Sequence, residues 1–596
     1  MTITWLEREG PSLPCPVCHD RARKTERLQI ASRFGGQGDL SLLACGACGA
    51  AFFADFEPPA YESATGIAAS VKFYVEQGAG MDVMLEPLFA IERANVRRYM
   101  EVGCGFGFAL DFAREMFGWE VQGVDPSSIA VAGRAALGLP IDNRYLTRDS
   151  DFGGRKFDLV YSSEVIEHIP DPRPFLGAVQ AALSDDGVLL LTTPNAGRIG
   201  PDTPDGALNP LLSAGFHCIL YTVGSLTRIL QEAGYAHVSV IERDYSLHAV
   251  AGRRPVAFLA SASVDRSLYR RYLTARVESS EADTPLANGF AYRLFKEMVN
   301  AGDYDAADPV FERLCNSYRR QFKLDLAKPT RIAYPRGAPP TLEAFSARLP
   351  FNLGGMFYFR GMQFLQRQQD YVTATHYFRA AARAAATTRS VLQAIGADDG
   401  ESEDLTWLAR VGACLALAQV NPSAAVGEFE RLDAPSLAGD PPEALWRVPS
   451  ARIGDVRLDL FVRLANAGTY EQADRLQPAV AETLGVPVAG VFDDARAPDH
   501  VRAIDAAFCM GIMALNHKPD YPRAARLFAL AFRGCRTQTP PRALVWEARY
   551  HEALACHHHG DGEAVKRIVH EFTGPPPPGL PPVPASVRER AEKLVA

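Results

Sequence analysis

The chain has 596 residues, 47% of them hydrophobic and 22% charged, with a formal net charge of −8. That length is too great for one hydrophobic core and predicts three or four folding units of ordinary globular composition, while the acidic balance argues against a broadly basic nucleic-acid surface. No uninterrupted apolar run reaches the roughly 18–20 residues that a spanning helix needs, and the N-terminal residues lack the basic start and apolar middle of a signal peptide. Of eleven cysteines, four form two Cys-x-x-Cys pairs and the rest are scattered singly. This pattern suits a reducing compartment with one metal site better than a disulfide framework, so a cytoplasmic location is expected.

The first unit, residues 1–56, carries both pairs: Cys15 and Cys18, then Cys45 and Cys48. Each pair can wrap a tight turn that aims two thiolates at one ion, and two such turns complete a tetrahedral structural Zn2+ site with no open position for catalysis. Short strands are expected at 28–30 and 40–43, giving a zinc ribbon with His19 as a neighbour of the site. Arg21, Arg23, Lys24, Arg27 and Arg33 make the ribbon locally basic. They read as a solvated face or as a contact for an anionic nucleotide sugar or RNA. Residues 57–98 follow as a helical lid or linker, with helix expected over 67–96 and a break at Gly78–Gly80.

Residues 99–252 read as alternating strands and helices. A short strand at 99–102 runs into the turn Gly103-Cys104-Gly105-Phe106-Gly107, and a helix with apolar spacing spans 108–117. Glycines at 103, 105 and 107 let the backbone turn sharply and approach a bulky ligand. Glu101 at the strand end suits a cationic ligand and repels a pyrophosphate. A second strand, 120–124, ends in Asp125, where a ribose-binding acid belongs in a doubly wound sheet. Two acids and no phosphate-holding lysine point away from ATP and toward S-adenosylmethionine, with its ammonium, sulfonium and ribose diol. A helix at 127–137, capped by Ser127 or Ser128, is followed by a strand at 157–161 and a helix at 175–183. Gly187 is expected to break the chain before a strand at 188–192. The last helix (222–233) and a terminal antiparallel pair (238–241, 247–250) complete the set. Between 139 and 156 no strand is evident, and Asn143 and Tyr145 are the candidates for an adenine contact.

The motifs Glu-Val-Gly-Cys-Gly-Phe-Gly (101–107), Gly-Val-Asp-Pro-Ser (123–127), Phe157 to Pro172 with Ser163, Glu164, Glu167 and His168, and Gly187 to Asn195 resemble, in order and rough spacing, those of class I S-adenosylmethionine-dependent methyltransferases. The resemblance covers about residues 85–252. It implies an α/β fold: a doubly wound, mostly parallel, seven-stranded Rossmann-like sheet, here preceded by the ribbon and followed by an all-α region. It also implies cofactor contacts from Glu101, Gly103, Cys104, Gly105, Gly107, Asp125, Pro126 and Ser163. A ribbon ending in Cys-Gly-x-x-Phe-Phe with Tyr61 downstream resembles the zinc-bearing front end of some deoxysugar methyltransferases. The segment Glu164-Val165-Ile166-Glu167-His168 resembles the Glu-x-x-Glu-His segment of quinone-precursor O-methyltransferases, where it is associated with a divalent ion, so Mg2+ held by Glu164, Glu167 and His168 is one expectation. Glu164, His168 and His217 are the catalytic candidates, the two histidines as general bases.

Past a linker at 253–288, residues 289–573 carry six pairs of a small residue and an apolar one a helical turn later: Ala307/Phe311, Ala374/Phe378, Ala425/Phe429, Ala473/Leu476, Ala524/Phe528 and Ala564/Ile568. Turns ending in Tyr304, Tyr371, Tyr470 and Tyr521 precede four of them. Antiparallel helix pairs pack this way, and the array resembles degenerate tetratricopeptide repeats, which serve partner docking or homo-oligomerisation. Proline-rich breaks fall at 329–340 and 575–584, and residues 574–596 form a tail with a short helix. The run His557–His559 reads as a wet helix end.

The function expected is methyl transfer from S-adenosylmethionine to a hydroxyl, or a carbon, of a sugar, a surface-glycan intermediate or another small molecule, with a protein partner on the helical array and no membrane span. Two alternatives stand beside it. One is an RNA methyltransferase that reads its substrate through the basic ribbon. The other is a protein methyltransferase or scaffold that acts on a partner docked by the repeats.

Overall fold

In a computed structural model, residues 3–31, 38–54, 67–203, 205–334, 341–395, 397, 399–432, 448, 450–490, 492 and 495–595 are described; Arg33, Tyr61 and residues 335–340 lie outside them. The chain forms two compact units: residues 1–327, 338–356 and 391–401 make the first, and 328–337, 357–390 and 402–596 the second.

Two sheets organise the first unit. The N-terminal one contains β1 (Ile3–Ser12), β2 (Arg23–Ala31), β3 (Asp39–Ala44) and β4 (Ala51–Phe53). The larger is built from β5 (Arg98–Val102), β6 (Glu120–Val124), β7 (Ile141–Asp142), β8 (Phe157–Ser163) and β9 (Leu183–Pro194), followed after β10 (Ile219–Leu220) by β11 (His237–Arg243) and β12 (Ser246–Gly252). Its order is β11-β12-β9-β8-β5-β6-β7; β5 to β9 run parallel, and β12 is antiparallel to both its neighbours. This is the doubly wound, mostly parallel seven-stranded sheet expected. Its central strands are buried throughout, Tyr99 to Val102 for example, as helices on both faces require.

The β5 turn leads into helix Phe108–Phe112, continued by a wider π-turn at Ala113–Phe117. Helix Ser128–Leu137 is capped by Ser127, whose Oγ accepts from the Ala130 amide at 3.3 Å. It passes so close to the glycine turn that a Cβ on Gly133 would overlap the Phe106 carbonyl oxygen.

Several expectations change. Gly187 lies inside β9 instead of breaking the chain before it, because the strand pairs with β8 from Phe157 onward through a register shift. The following-strand helix begins at Pro172, not 175, since Asp171 caps it and proline suits a first helical position. The strand not evident between 139 and 156 is the two-residue β7, too short for a period to register. The stretch 253–288 holds a helix, Arg266–Ser279, whose Tyr272 and Arg276 bond the buried Asp111 carboxylate at 2.7 Å and 2.6 Å.

The N-terminal sheet is not separate from this core. Its order is β1-β2-β3-β4-β10, so a strand from the far end of the methyltransferase-like stretch completes it. Cys15, Val17 and Phe52 share one apolar cluster with Leu176, Tyr221 and Leu226. Of the basic residues in this sheet, Arg23 remains exposed while pairing with Glu9 at 3.2 Å, Arg27 pairs with Glu7 at 3.1 Å, and Lys24 is buried against Asp20 at 2.8 Å. The acids opposing the two arginines sit on β1, a strand with no clear sequence signal.

Residues 67–96 form helices Ile67–Phe73 and Met81–Phe89, joined by a π-turn at Tyr74–Gly78. That turn lies over the glycine loop. The Tyr74 ring stacks on Phe108 with centroids 6.1 Å apart, and its hydroxyl stands 3.5 Å from where a Gly105 Cβ would be. Helix Pro285–Asn300 holds it from behind: buried Arg293 donates to the carbonyls of Val75 (2.7 Å), Gln77 (3.2 Å) and Ala79 (2.9 Å).

In the second unit all five small/apolar pairs, from Ala374/Phe378 to Ala564/Ile568, are buried, and helices begin at Tyr371, Tyr470 and Tyr521 as expected. The aromatic of a pair packs on glycine: Phe378 against Gly361 and Gly412, Phe528 against Gly511. His557, His558 and His559 are exposed at a helix C-terminus. Among the described residues no helix is long and apolar enough to cross a membrane.

Arg293→Ala leaves three buried carbonyls without their cation. A loss of about 2–4 kcal/mol in unfolding free energy is expected, with faster proteolysis of residues 67–80. Chemical denaturation and limited proteolysis check it.

Candidate active site

A cavity of about 1130 Å³ opens at the C-terminal ends of the parallel strands, where α/β sheets bind ligands. Gly103, Asp125, Pro126, Glu164 and His168 line it, as does Tyr145. Glu101, Cys104, Gly105, Gly107 and Ser163 are not among the lining residues. Asn143 is not a lining residue; its amide donates to the carbonyls of Asp125 (2.9 Å) and Ser127 (3.0 Å) and so braces the turn.

All three loop glycines have left-handed backbones, with φ of 75°, 51° and 86° at 103, 105 and 107. At Gly103 a Cβ would also overlap Val165. The loop is fastened by Asp125: one carboxylate oxygen accepts from the Gly105 amide and the other from the Ser127 amide, both at 2.7 Å. Glu101 is 5% exposed and accepts from the Tyr99 hydroxyl at 3.2 Å. Burial, with repulsion from Asp125 added, pushes its carboxyl up to about 8. Two carboxyls thus converge on a glycine-rich cradle in which a side chain at position 103 or 107 would overlap its neighbours and which carries no lysine. This fits a ligand with a diol and a positive charge.

A second group of polar side chains gathers around two lining residues, Glu164 and His168; Glu167 and the predicted catalytic His217 are buried and are not among the lining residues. Glu164 takes a left-handed backbone (φ 53°) just past the end of β8, is solvent-exposed, and accepts from the Thr192 hydroxyl at 3.2 Å. Ser163 bonds the same Thr192 hydroxyl at 2.7 Å. Glu167 is fully buried, accepts from Thr193 at 2.9 Å through one oxygen, and has no hydrogen-bond partner for the other, Oε1. His168 and His217 lie edge to face with ring centroids 4.8 Å apart. Their Nδ1 atoms donate to the carbonyls of Phe216 (3.2 Å) and Leu211 (2.9 Å) respectively. Burial pushes them down to about 4 and about 3, leaving both imidazoles neutral at pH 7. Thr192, Thr193 and Val165 lie inside the motifs at 187–195 and 157–172, but their residue types alone mark no site role.

The four paired cysteines also converge. Cys15 and Cys48 sulfurs are 3.6 Å apart, as are Cys18 and Cys45, and all four lie within 4.8 Å. Zinc–thiolate bonds of about 2.3 Å in a tetrahedron put sulfurs about 3.8 Å apart, so this donor set fits Zn2+. The two knuckles are alike: His19 and Gly49 amides donate back to Cys15 (2.9 Å) and Cys45 (2.8 Å), and both residues are left-handed. His19 is exposed and outside the cluster.

The sheet order, the glycine turn after β5 and the acid that follows β6 are those of the class I methyltransferase fold. Residues 79–240 match the family model described as a methyltransferase domain. The chain is 35% identical over 103 residues to a ubiquinone biosynthesis O-methyltransferase of Rhodopseudomonas palustris (strain HaA2), covering 16% of this chain and 40% of that protein. To its counterpart in Cereibacter sphaeroides (strain ATCC 17029) it is 37% identical over 103 residues, covering 16% and 41%. The chain thus spans about two fifths of the length of these curated relatives. Among solved structures, an O-methyltransferase family protein from Burkholderia thailandensis aligns at 18% identity with a TM-score of 0.24, covering 29% of this chain and 54% of that one.

Asp125→Ala removes the acceptor of two loop amides, and a loss of about 2–3 kcal/mol on denaturant unfolding is expected. Cys45→Ser, or prolonged chelation, is expected to lower the melting temperature of the parallel-sheet core together with the N-terminal sheet, in one transition, because the two share an apolar cluster. Calorimetry with zinc analysis reads this.

Proposed function

We propose that the first unit is an S-adenosylmethionine-dependent methyltransferase acting on an oxygen of a small molecule. The observation that carries this reading is the pair Glu101 and Asp125 flanking a glycine-rich cradle at the strand ends. Bound there, S-adenosylmethionine would supply an electrophilic methyl group on a sulfonium. Asp125 would accept from the ribose hydroxyls, Glu101 would face the amino end, and Tyr145, on the loop after β7, is the adenine candidate that lines the cavity. Methyl transfer is an in-line displacement, so holding donor and acceptor in register supplies much of the rate. A cavity larger than the roughly 300–1,000 Å³ of a usual single-ligand site leaves space for both.

An oxygen acceptor is supported by the similarity to the two ubiquinone biosynthesis O-methyltransferases. Its hydroxyl must lose a proton, and Glu164 and His168 on the cavity lining, with buried Glu167 and His217 near them, are the groups suited to that task. A sugar or glycan intermediate remains the favoured acceptor on the likeness of the ribbon and lid to deoxysugar methyltransferases. The pairing of Arg23, Arg27 and Lys24 with acids weakens the RNA reading. A structural Zn2+ on Cys15, Cys18, Cys45 and Cys48 would brace the sheet that β10 completes. The second unit would dock a protein partner or a second copy through stacked helix pairs of tetratricopeptide type, in a cytoplasmic enzyme.

The test is calorimetric titration of the zinc-replete chain with S-adenosylmethionine, followed by methyl-transfer assays on glycan and phenolic acceptors. Absence of heat would overturn the reading. Glu101 adds a signature. A carboxyl held near 8 in the empty site must ionise to meet the cation, so affinity should rise with pH by up to about tenfold per unit toward pH 8. Calorimetry in buffers of different ionisation enthalpy should find a proton released on binding, and Glu101→Gln should abolish that release.

A further inference from the structure

The likeness of residues 164–168 to a Glu-x-x-Glu-His segment implies Mg2+ on Glu164, Glu167 and His168. The three-dimensional arrangement disagrees. Glu164 turns its carboxylate to Thr192 and does not join the convergent group; the residues whose ligand atoms lie within 4.8 Å of one another are Glu167, His168 and His217. Two imidazoles and one carboxylate do not fit Mg2+, which demands oxygen ligands. They suit a borderline transition metal bound through one face, with other positions open.

We infer that Glu167, His168 and His217 form a binding site for a divalent transition-metal ion such as Mn2+, Fe2+ or Co2+. Three observations point the same way. First, Glu167 Oε1 is fully buried with no hydrogen-bond partner, a costly state for a carboxylate that an ion relieves, and it lies 3.8 Å from His168 Nε2. Second, each histidine uses Nδ1 to donate to a backbone carbonyl, which orients Nε2 as the ligating atom and sets the tautomer, as outer-shell partners of metal-bound histidines do. Third, Thr193 fixes the other Glu167 oxygen at 2.9 Å, and His168 lines the cavity, so an ion here has access to a bound acceptor.

This inference rests on the proposed methyltransferase reading for its purpose, which is to lower the pKa of the acceptor hydroxyl by direct coordination. The site itself is tested independently. Full-length zinc-replete protein is titrated with Mn2+ while the electron paramagnetic resonance signal of free Mn2+ is followed, and S-adenosylmethionine binding is measured in parallel by calorimetry. One Mn2+ per chain is expected beyond the cysteine-bound zinc, not displaced by equimolar Mg2+. Glu167→Gln and His217→Ala should each weaken it at least about tenfold, leaving S-adenosylmethionine affinity within about twofold. Should those buried substitutions fail to fold, electron-spin-echo modulation on the unaltered protein gives the answer, because two imidazole nitrogens should couple to the bound Mn2+. No Mn2+ or Co2+ uptake, one-for-one replacement by Mg2+, or an echo without nitrogen coupling would each overturn the site. The first of these would return His168 to a metal-free role as base. Loss of S-adenosylmethionine binding with Mn2+ uptake intact would instead sink the methyltransferase reading alone.

Discussion

The Asp125 carboxylate receives the Gly105 amide on one oxygen and the Ser127 amide on the other, at 2.7 Å each. Those two bonds join the turns that follow neighbouring parallel strands, β5 and β6, and hold the cradle in the left-handed conformations its glycines permit. The same contact fixes where helix Ser128–Leu137 starts. With Gly133 lacking a side chain, that helix settles against the Phe106 carbonyl. A charged hydrogen-bond acceptor in a buried corner is worth about twice a neutral one, so the geometry that would grip a ribose is the geometry that closes the fold.

Around this corner, parts of the chain that look like appendages are built into one core. The cysteine knuckles contribute Cys15 and Cys45 to the apolar cluster that contains Leu189 and Leu191 of the central sheet. Arg173, at the start of the helix after β8, donates to the Pro16 carbonyl at 2.9 Å. On the opposite side the π-turn over the glycine loop is gripped by Arg293, and a Cβ on Gly289 would overlap the Val75 carbonyl. Buried Glu76 in that turn accepts the Phe351 amide at 2.9 Å, and burial holds its carboxyl up near 7. The cofactor corner is therefore roofed by backbone that helices far along the sequence hold in place.

The candidate site was legible to different depths. Gly103, Asp125, Glu164 and His168 were read from short motifs and do line the cavity. Asn143, read as an adenine contact, spends its amide on backbone carbonyls. The five basic residues of the ribbon looked like one charged face, yet the acids that neutralise Arg23 and Arg27 come from β1, whose alternation carries no strong strand signal.

By itself the sequence determined the strand–turn–helix units, the acid at each strand end, the two cysteine knuckles and the helix starts at Tyr304, Tyr371, Tyr470 and Tyr521. Each depends on residues within a few positions of one another: a φ that glycine permits, a cap, an apolar period. The tertiary structure alone decided that β10 finishes the N-terminal sheet, that Arg293 clasps the Tyr74 turn, and that His217 meets Glu167 and His168 while Glu164 turns away. Those pairings join segments tens to hundreds of residues apart. They are chosen by which surfaces bury each other and which buried polar atoms find partners, and no local spacing encodes that choice.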